Sequence, residues 1–175
     1  YSGVGKRDDE IEYAIRSNIL MFNVESEQEL TRISEIATRM GARAGIAIRV
    51  NPDVDPGTHP YITTGLKNAK FGITIERAMS EYSRAVTLPG IDVIGIDMHI
   101  GSQLTKVSPF VDSIDKLKVM LTKLREQGIN LSYFDCGGGL GIQYNEEEPP
   151  LPAEYGDQIV AATKELGMHL LFEPG

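Results

Sequence analysis

Four clusters in this chain combine residue types that could do chemistry. The first is Gly137-Gly138-Gly139, which follows the apolar run Leu131 to Cys136. Glycine has no Cβ and adopts positive φ, so successive backbone N–H groups can turn inward around an anion, with phosphate the natural guest. The same run would also make a tight strand-to-helix turn that binds nothing. Its spacing, Gly-Gly-Gly-Leu-Gly followed by Ile142, is not the G-x-G-x-x-G of dinucleotide binding, and Gly3-Val4-Gly5-Lys6 lacks the rest of a P-loop. The second cluster is Asp97-Met98-His99-Ile100-Gly101-Ser102-Gln103. On a strand, alternation places Asp97 and His99 on one face and Met98 and Ile100 on the other. Ser102 and its neighbours then offer donors suited to a phosphate or a carboxylate. The third is Glu173, a carboxylate at the end of the apolar run Met168 to Phe172 and followed by Pro174-Gly175. The fourth is Arg49, set between apolar neighbours, which needs an anionic partner if it is buried. Three His, one Cys and no HExxH or CxxC pattern supply no metal-ligand set. Cys136 reads as packing before it reads as a nucleophile.

These residues need elements to hold them. Apolar runs predict strands over 19–24, 44–50, 93–100, 131–136 and 168–172. Between them lie helical stripes. Ser26 and Glu29 form a capping box for Leu30, Ile33, Ala37 and Met40, and Gly41 ends that helix. A second helix is predicted over 75–86. Ser108 as N-cap and Pro109 at the first helical position start a third, with Gly128 closing it. A fourth spans 153–166, stopped by Gly167. Strand–helix alternation implies a parallel sheet with helices outside, and near-continuous apolar strands fit a sheet covered on both faces. Asn51, His99, Ser102, the glycine run and Glu173 all fall at or just past strand C-terminal ends. Their spread over four or more strands favours a barrel, where every such end faces one mouth, over an open sheet with a single switch point. The long loop from Pro52 to Gly72 is read as a lid or wall over that mouth, with a solvated insertion as the alternative.

Composition narrows the class. With 25 acidic against 17 basic side chains the net charge is −8, so a nucleic-acid partner is not expected. No apolar stretch approaches a membrane span, and no basic apolar leader is present at the start. A single Cys points to a reducing compartment. The chain opens at Tyr1 inside an ordered-looking run and closes on an apolar run that has just reached its turn, which reads as an internal piece of a longer protein.

Asn51-Pro52-Asp53-Val54-Asp55-Pro56-Gly57-Thr58-His59-Pro60-Tyr61-Ile62-Thr63-Thr64-Gly65, then Lys70-Phe71-Gly72, His99-Ile100-Gly101-Ser102-Gln103, Gly137-Gly138-Gly139-Leu140-Gly141 and Glu173-Pro174-Gly175 carry a resemblance over essentially the whole chain. In order and spacing it resembles the fold-type III pyridoxal-phosphate decarboxylases, and the Asn-Pro-Asp to Lys-Phe-Gly stretch resembles their diaminopimelate decarboxylase branch. The resemblance implies a partial (β/α)8 barrel over 1–175, about strands 3 to 8, lacking the first two strands and a C-terminal β domain. It implies pyridoxal 5'-phosphate as cofactor. Gly137, Gly138 and Gly139 would cradle its phosphate, assisted by Ser102 and the Gly175 backbone. Glu173 would pair with the pyridine nitrogen, His99 would stack on the ring, and Arg49 would support the cofactor or Glu173. No catalytic residue is expected in this chain, because the Schiff-base lysine and a C-terminal-domain Cys belong to the missing parts, so the piece alone is expected to be inactive. The intact enzyme would be a cytoplasmic homodimer that converts meso-2,6-diaminopimelate to L-lysine. The alternatives are a sister decarboxylase of ornithine, arginine or carboxynorspermidine, and a non-catalytic homologue that binds partners.

Overall fold

The computed structural model describes residues 1–54 and 71–174. Most of the expected lid, and Gly175, lie outside the described residues. In chain order the elements are α1 (Asp8–Arg16), β1 (Phe22–Val24), α2 (Glu27–Arg39), β2 (Ala44–Asn51), β3 (Ile73–Thr74), α3 (Ile75–Ala85), β4 (Ile91–Asp97), α4 (Ser108–Glu126), β5 (Tyr133–Asp135), α5 (Pro152–Thr163) and β6 (His169–Leu171).

The helices follow their stripes and caps. Ser26 Oγ accepts from the Glu29 N–H at 3.1 Å, so α2 starts where its cap residue stands, and its apolar stripe of Leu30, Ile33, Ile36 and Ala37 is buried. The reciprocal half of the capping box is diverted. The Glu29 carboxylate accepts instead from Lys6 Nζ at 2.8 Å and the Glu25 N–H at 3.3 Å. Ser108 does not cap α4 but begins it. Val107 stands in the cap position, its carbonyl accepting from the Phe110 and Val111 N–H groups, and Pro109 falls within the first turn. The last turn of the predicted 153–166 helix tightens to a 3₁₀ turn over Lys164–Leu166, ended by Gly167 at φ 64°. Helix α1 has no counterpart in the sequence expectations. Its signals are Ile11 and Ala14 on one face, and an acidic first turn in which Glu10 accepts from the Arg7 N–H at 2.9 Å.

Several paired strands are shorter than the apolar runs that announced them. Ile19 to Val24 pairs only over Phe22–Val24, and Leu131 to Cys136 only over Tyr133–Asp135. The remaining members of these runs, such as Met21, Leu131 and Cys136, are buried all the same. Hydrophobic runs report burial, and burial extends beyond the ladder.

The strands pair in the order β1-β2-β4-β5-β6, with β3 added at the end of β2, and every pairing is parallel. Tyr1 lies along the other edge of β1. Its amino group donates to Met21 O at 2.7 Å and its carbonyl accepts from Asn23 N at 3.0 Å. Phe22, Val24, Ile46, Ile48, Ile96, Met98 and Phe134 join the helices in one buried core. Their neighbours Asn23, Arg49, Asp97 and Asp135 therefore face the other way. In β4 the register skips Ile94, so Ile91 and Val93 pack toward the helices while Gly95 and Asp97 turn to the polar side.

That polar side is the inside of a curl. In a flat sheet β1 and β5 would lie about 14 Å apart, three strand spacings. Yet Asn23 Nδ2 in β1 donates to Asp135 Oδ2 in β5 at 2.9 Å. The Ser2 hydroxyl, outside β1, donates to Glu173, just past β6. The sheet bends through an arc that brings its two ends together, as a barrel wall does and an open doubly wound sheet does not.

Candidate functional site

The mouth of this arc gathers the side chains at the C-terminal strand ends. Asp97 ends β4, Asp135 ends β5 and Glu173 follows β6. One carboxylate oxygen of each lies within 4.8 Å of the others. Asp135 is tied twice, by Asn23 Nδ2 at 2.9 Å and by the Gly137 N–H at 3.0 Å. Glu173 accepts the Ser2 hydroxyl on Oε1, with Asn23 Nδ2 3.5 Å from the same atom. No hydrogen bond from the described residues reaches its Oε2. Glu173 thus faces the interior of the arc and not bulk solvent. Burial raises the Asp97 carboxyl well above its ordinary range, helped by Asp135 and opposed by Arg49. Asp135 is raised by burial as well, against the bonds from Asn23 and Gly137.

His99 continues the Asp97 face, as alternation requires. Its Nδ1 accepts the Gly138 N–H at 3.3 Å, which places the ring proton on Nε2. Burial and the nearby Arg49 hold its pKa below the ordinary value, so the ring is neutral. Arg49 finds the anion its position demanded in Glu25, at 2.7 Å, and also donates to His99 O at 3.3 Å. Its bonds run to these two groups and not to Glu173.

The glycine turn is required first by packing. A Cβ on Gly137 would sit 2.2 Å from Met98 O, one on Gly138 1.9 Å from Glu173 O, and one on Gly139 1.9 Å from Gly101 O. Glycine here lets the ends of β4, β5 and β6 touch. Two of the three N–H groups are already engaged, by Asp135 and His99. The Gly139 N–H has no partner among the described residues. The turn opens onto a cavity of about 320 Å³ lined by Gly137, Gly138, Leu140, Tyr155, Phe172 and Pro174. Ser102 is exposed and does not line this cavity. Gln103 holds the two loops in place, its amide donating to Ile142 O and its Oε1 accepting from Ile142 N at 3.0 Å.

Sequence reasoning left Asn23, Glu25, Asp135 and Ser2 without a role. Asn23 and Asp135 carried a signal, each a polar residue inside or ending an apolar strand run. Ser2 carried none. Cys136 points into the core, and burial pushes its thiol up to about 12, as suits an inert packing residue.

A curled parallel β/α sheet whose C-terminal strand ends converge on acids, an imidazole and a glycine turn defines a β/α-barrel protein with its site at the mouth. The family profile described as pyridoxal-dependent decarboxylase, pyridoxal binding domain, matches residues 1–175, and the chain belongs to that family. Curated relatives include the diaminopimelate decarboxylase of Vibrio cholerae, 48 % identical over 176 residues, and that of Pseudomonas fluorescens, 47 % identical over 176 residues. Each is matched over 100 % of this chain and 42 % of its own length, so the chain spans well under half of these relatives. Among solved structures, the diaminopimelate decarboxylase of Helicobacter pylori complexed with L-lysine superposes with a TM-score of 0.93 at 40 % identity, covering 99 % of this chain and 44 % of that one. Among the described residues no helix is long and apolar enough to cross a membrane.

Proposed function

We propose that this chain is the cofactor-holding part of a decarboxylase that converts meso-2,6-diaminopimelate to L-lysine. One observation carries the reading: Glu173 lies inside the arc beside the glycine turn, with Oε2 free to accept a hydrogen bond. That donor set fits pyridoxal phosphate. Glu173 Oε2 would hold the protonated pyridine nitrogen, and neutral His99 would offer its flat face to the ring. The Gly139 N–H and the cavity beside it would take the phosphate, with the Ser102 hydroxyl as a further donor. When bound, the cofactor supplies a protonated ring that accepts the electron pair left as a carboxyl group departs. Arg49 acts one step removed, fixing Glu25 and the His99 backbone. The substrate assignment is supported by the relatives of that name, matched over the whole of this chain. A homodimer in the cytoplasm completes the reading.

The test uses the full-length protein loaded with pyridoxal phosphate. Carbon dioxide release and L-lysine formation from diaminopimelate are expected, with much slower release from ornithine or arginine. Glu173→Gln should bind the cofactor more weakly and alter its absorbance band. Release from ornithine in preference to diaminopimelate would overturn the substrate, and an unchanged cofactor band in Glu173→Gln would overturn the site.

A further inference from the structure

Asp97 is the carboxyl that no donor reaches. Asp135 accepts two hydrogen bonds and Glu173 accepts the Ser2 hydroxyl. Asp97 is 2 % exposed, accepts none from the described residues, and its Oδ1 is sealed away from solvent. Around it stand Asp135, Glu173 and Glu25, with Arg49 as the cationic side chain among them. Arg49 already bonds to Glu25 at 2.7 Å. The other ionisable groups facing it give no donor either. Tyr82 donates its hydroxyl to Gly95 O at 2.9 Å, the Tyr1 amino group donates to Met21 O at 2.7 Å, and the Cys136 thiol stays neutral. His99 is neutral and takes its own bond from Gly138.

Three carboxylates with oxygens within 4.8 Å of one another, two of them buried, do not all ionise. The cheapest place for a proton is the member with no donor of its own, because protonation removes an unsolvated charge and creates an O–H that can point at a neighbouring carboxylate. We propose that Asp97 is a positioning residue that keeps a proton in the resting site, confining negative charge to Asp135 and Glu173. Glu173 then faces the ring nitrogen as a carboxylate, in a pocket that carries one negative charge fewer than its acids suggest. This rests on the reading of Glu173 as the partner of that nitrogen. The upward displacement of the Asp97 carboxyl by burial and by Asp135 agrees with it.

Infrared difference spectroscopy of the full-length, cofactor-loaded protein tests the proton directly. At neutral pH the parent should show the carbonyl stretch of a buried protonated carboxyl. Asp97→Asn should abolish that band, and Asp135→Asn should keep it. Asparagine has the shape of the neutral acid, so Asp97→Asn should also bind pyridoxal phosphate within about threefold of the parent. No such band in the parent, a band that survives Asp97→Asn, or an affinity loss of about tenfold or more in that variant would each overturn the proposal. If Asp97→Asn does not fold, the parent spectrum and that of Asp135→Asn still decide. Glu173→Gln separates the two readings: an unchanged cofactor spectrum there refutes the pairing with Glu173, whereas the infrared band reports on Asp97 whether or not that pairing holds.

Discussion

The Asn23 side-chain amide of β1 and the Asp135 carboxylate of β5 meet at 2.9 Å across two intervening strands. Asn23 is 1 % exposed, and the same amide nitrogen stands 3.0 Å from Ser2 Oγ. One buried side chain thus links the first strand, the segment before it and the acid-bearing end of β5. It is the clasp that keeps the sheet curled at its mouth.

Removing that clasp leaves a buried carboxylate with one donor fewer. Asn23→Ala should cost about 2 kcal/mol or more, the range for a buried hydrogen bond to a charged group. The urea midpoint of the full-length protein should fall with an unchanged slope. An unshifted midpoint would show that the Asn23–Asp135 contact does not stabilise the fold.

Gly138 isolates the packing role of the glycine turn, since its φ is ordinary and only space forbids a side chain there. Gly138→Ala pushes a Cβ against the Glu173 backbone and should destabilise by about 1–3 kcal/mol or more. Gly156 in α5 is the contrast, with nothing within 4 Å of an added Cβ. Gly156→Ala should stabilise by about 0.5–1 kcal/mol through helix propensity. Thermal unfolding of the two variants should move in opposite directions, and parallel losses would refute the steric explanation.

The Lys6 ammonium is fully enclosed and bonds Glu29 at 2.8 Å, Asn23 O at 2.7 Å and Gly3 O at 2.9 Å. Burial raises the Glu29 carboxyl and Lys6 opposes it. Lys6→Met strands that carboxylate and should cost about 3–5 kcal/mol. Adding Glu29→Gln should restore a substantial part of the loss, a coupling that a double-mutant cycle measures. Strict additivity of the two changes would count against the buried pair.

His99 supplies a pH signature. Its folded pKa is depressed by burial and Arg49, while the unfolded chain takes up the proton near pH 6.5. Below that point the unfolded state binds more protons than the folded one, so the stability this group contributes is lost as pH falls through the folded value. His99→Gln removes the titration. Parent and variant stabilities, measured by denaturant unfolding across mildly acidic pH, should diverge in the variant's favour as pH drops. Curves that run parallel would show that His99 titrates alike in both states.

How much of this was written along the chain follows from which forces are local. The strand–helix alternation, the Ser26 cap, the helix stops at Gly41 and Gly167, and the sharing of one face by Asp97 and His99 depend on period, caps and backbone freedom, which a short window of sequence contains. So does the burial of Arg49 against an acid. The identity of that acid, Glu25, was not legible, because it comes from beyond another strand. Nor was the diversion of Glu29 to Lys6, where a buried cation outcompetes the local capping bond. Helix α1 went unread although Ile11 and Ala14 marked it.

By itself the sequence determined the parallel β/α class, the polar residues at strand ends and the glycine turn, since residue type and spacing encode burial, helix period and backbone freedom. Tertiary structure alone decided the rest. The skipped residue Ile94 re-phases β4 so that Asp97 turns inward, a shift that depends on pairing with β2 and not on alternation. The curl of the sheet then brings Ser2 and Glu173 into contact and gathers the half-buried Glu173 with the buried Asp97 and Asp135, a proximity that no local stretch of sequence encodes.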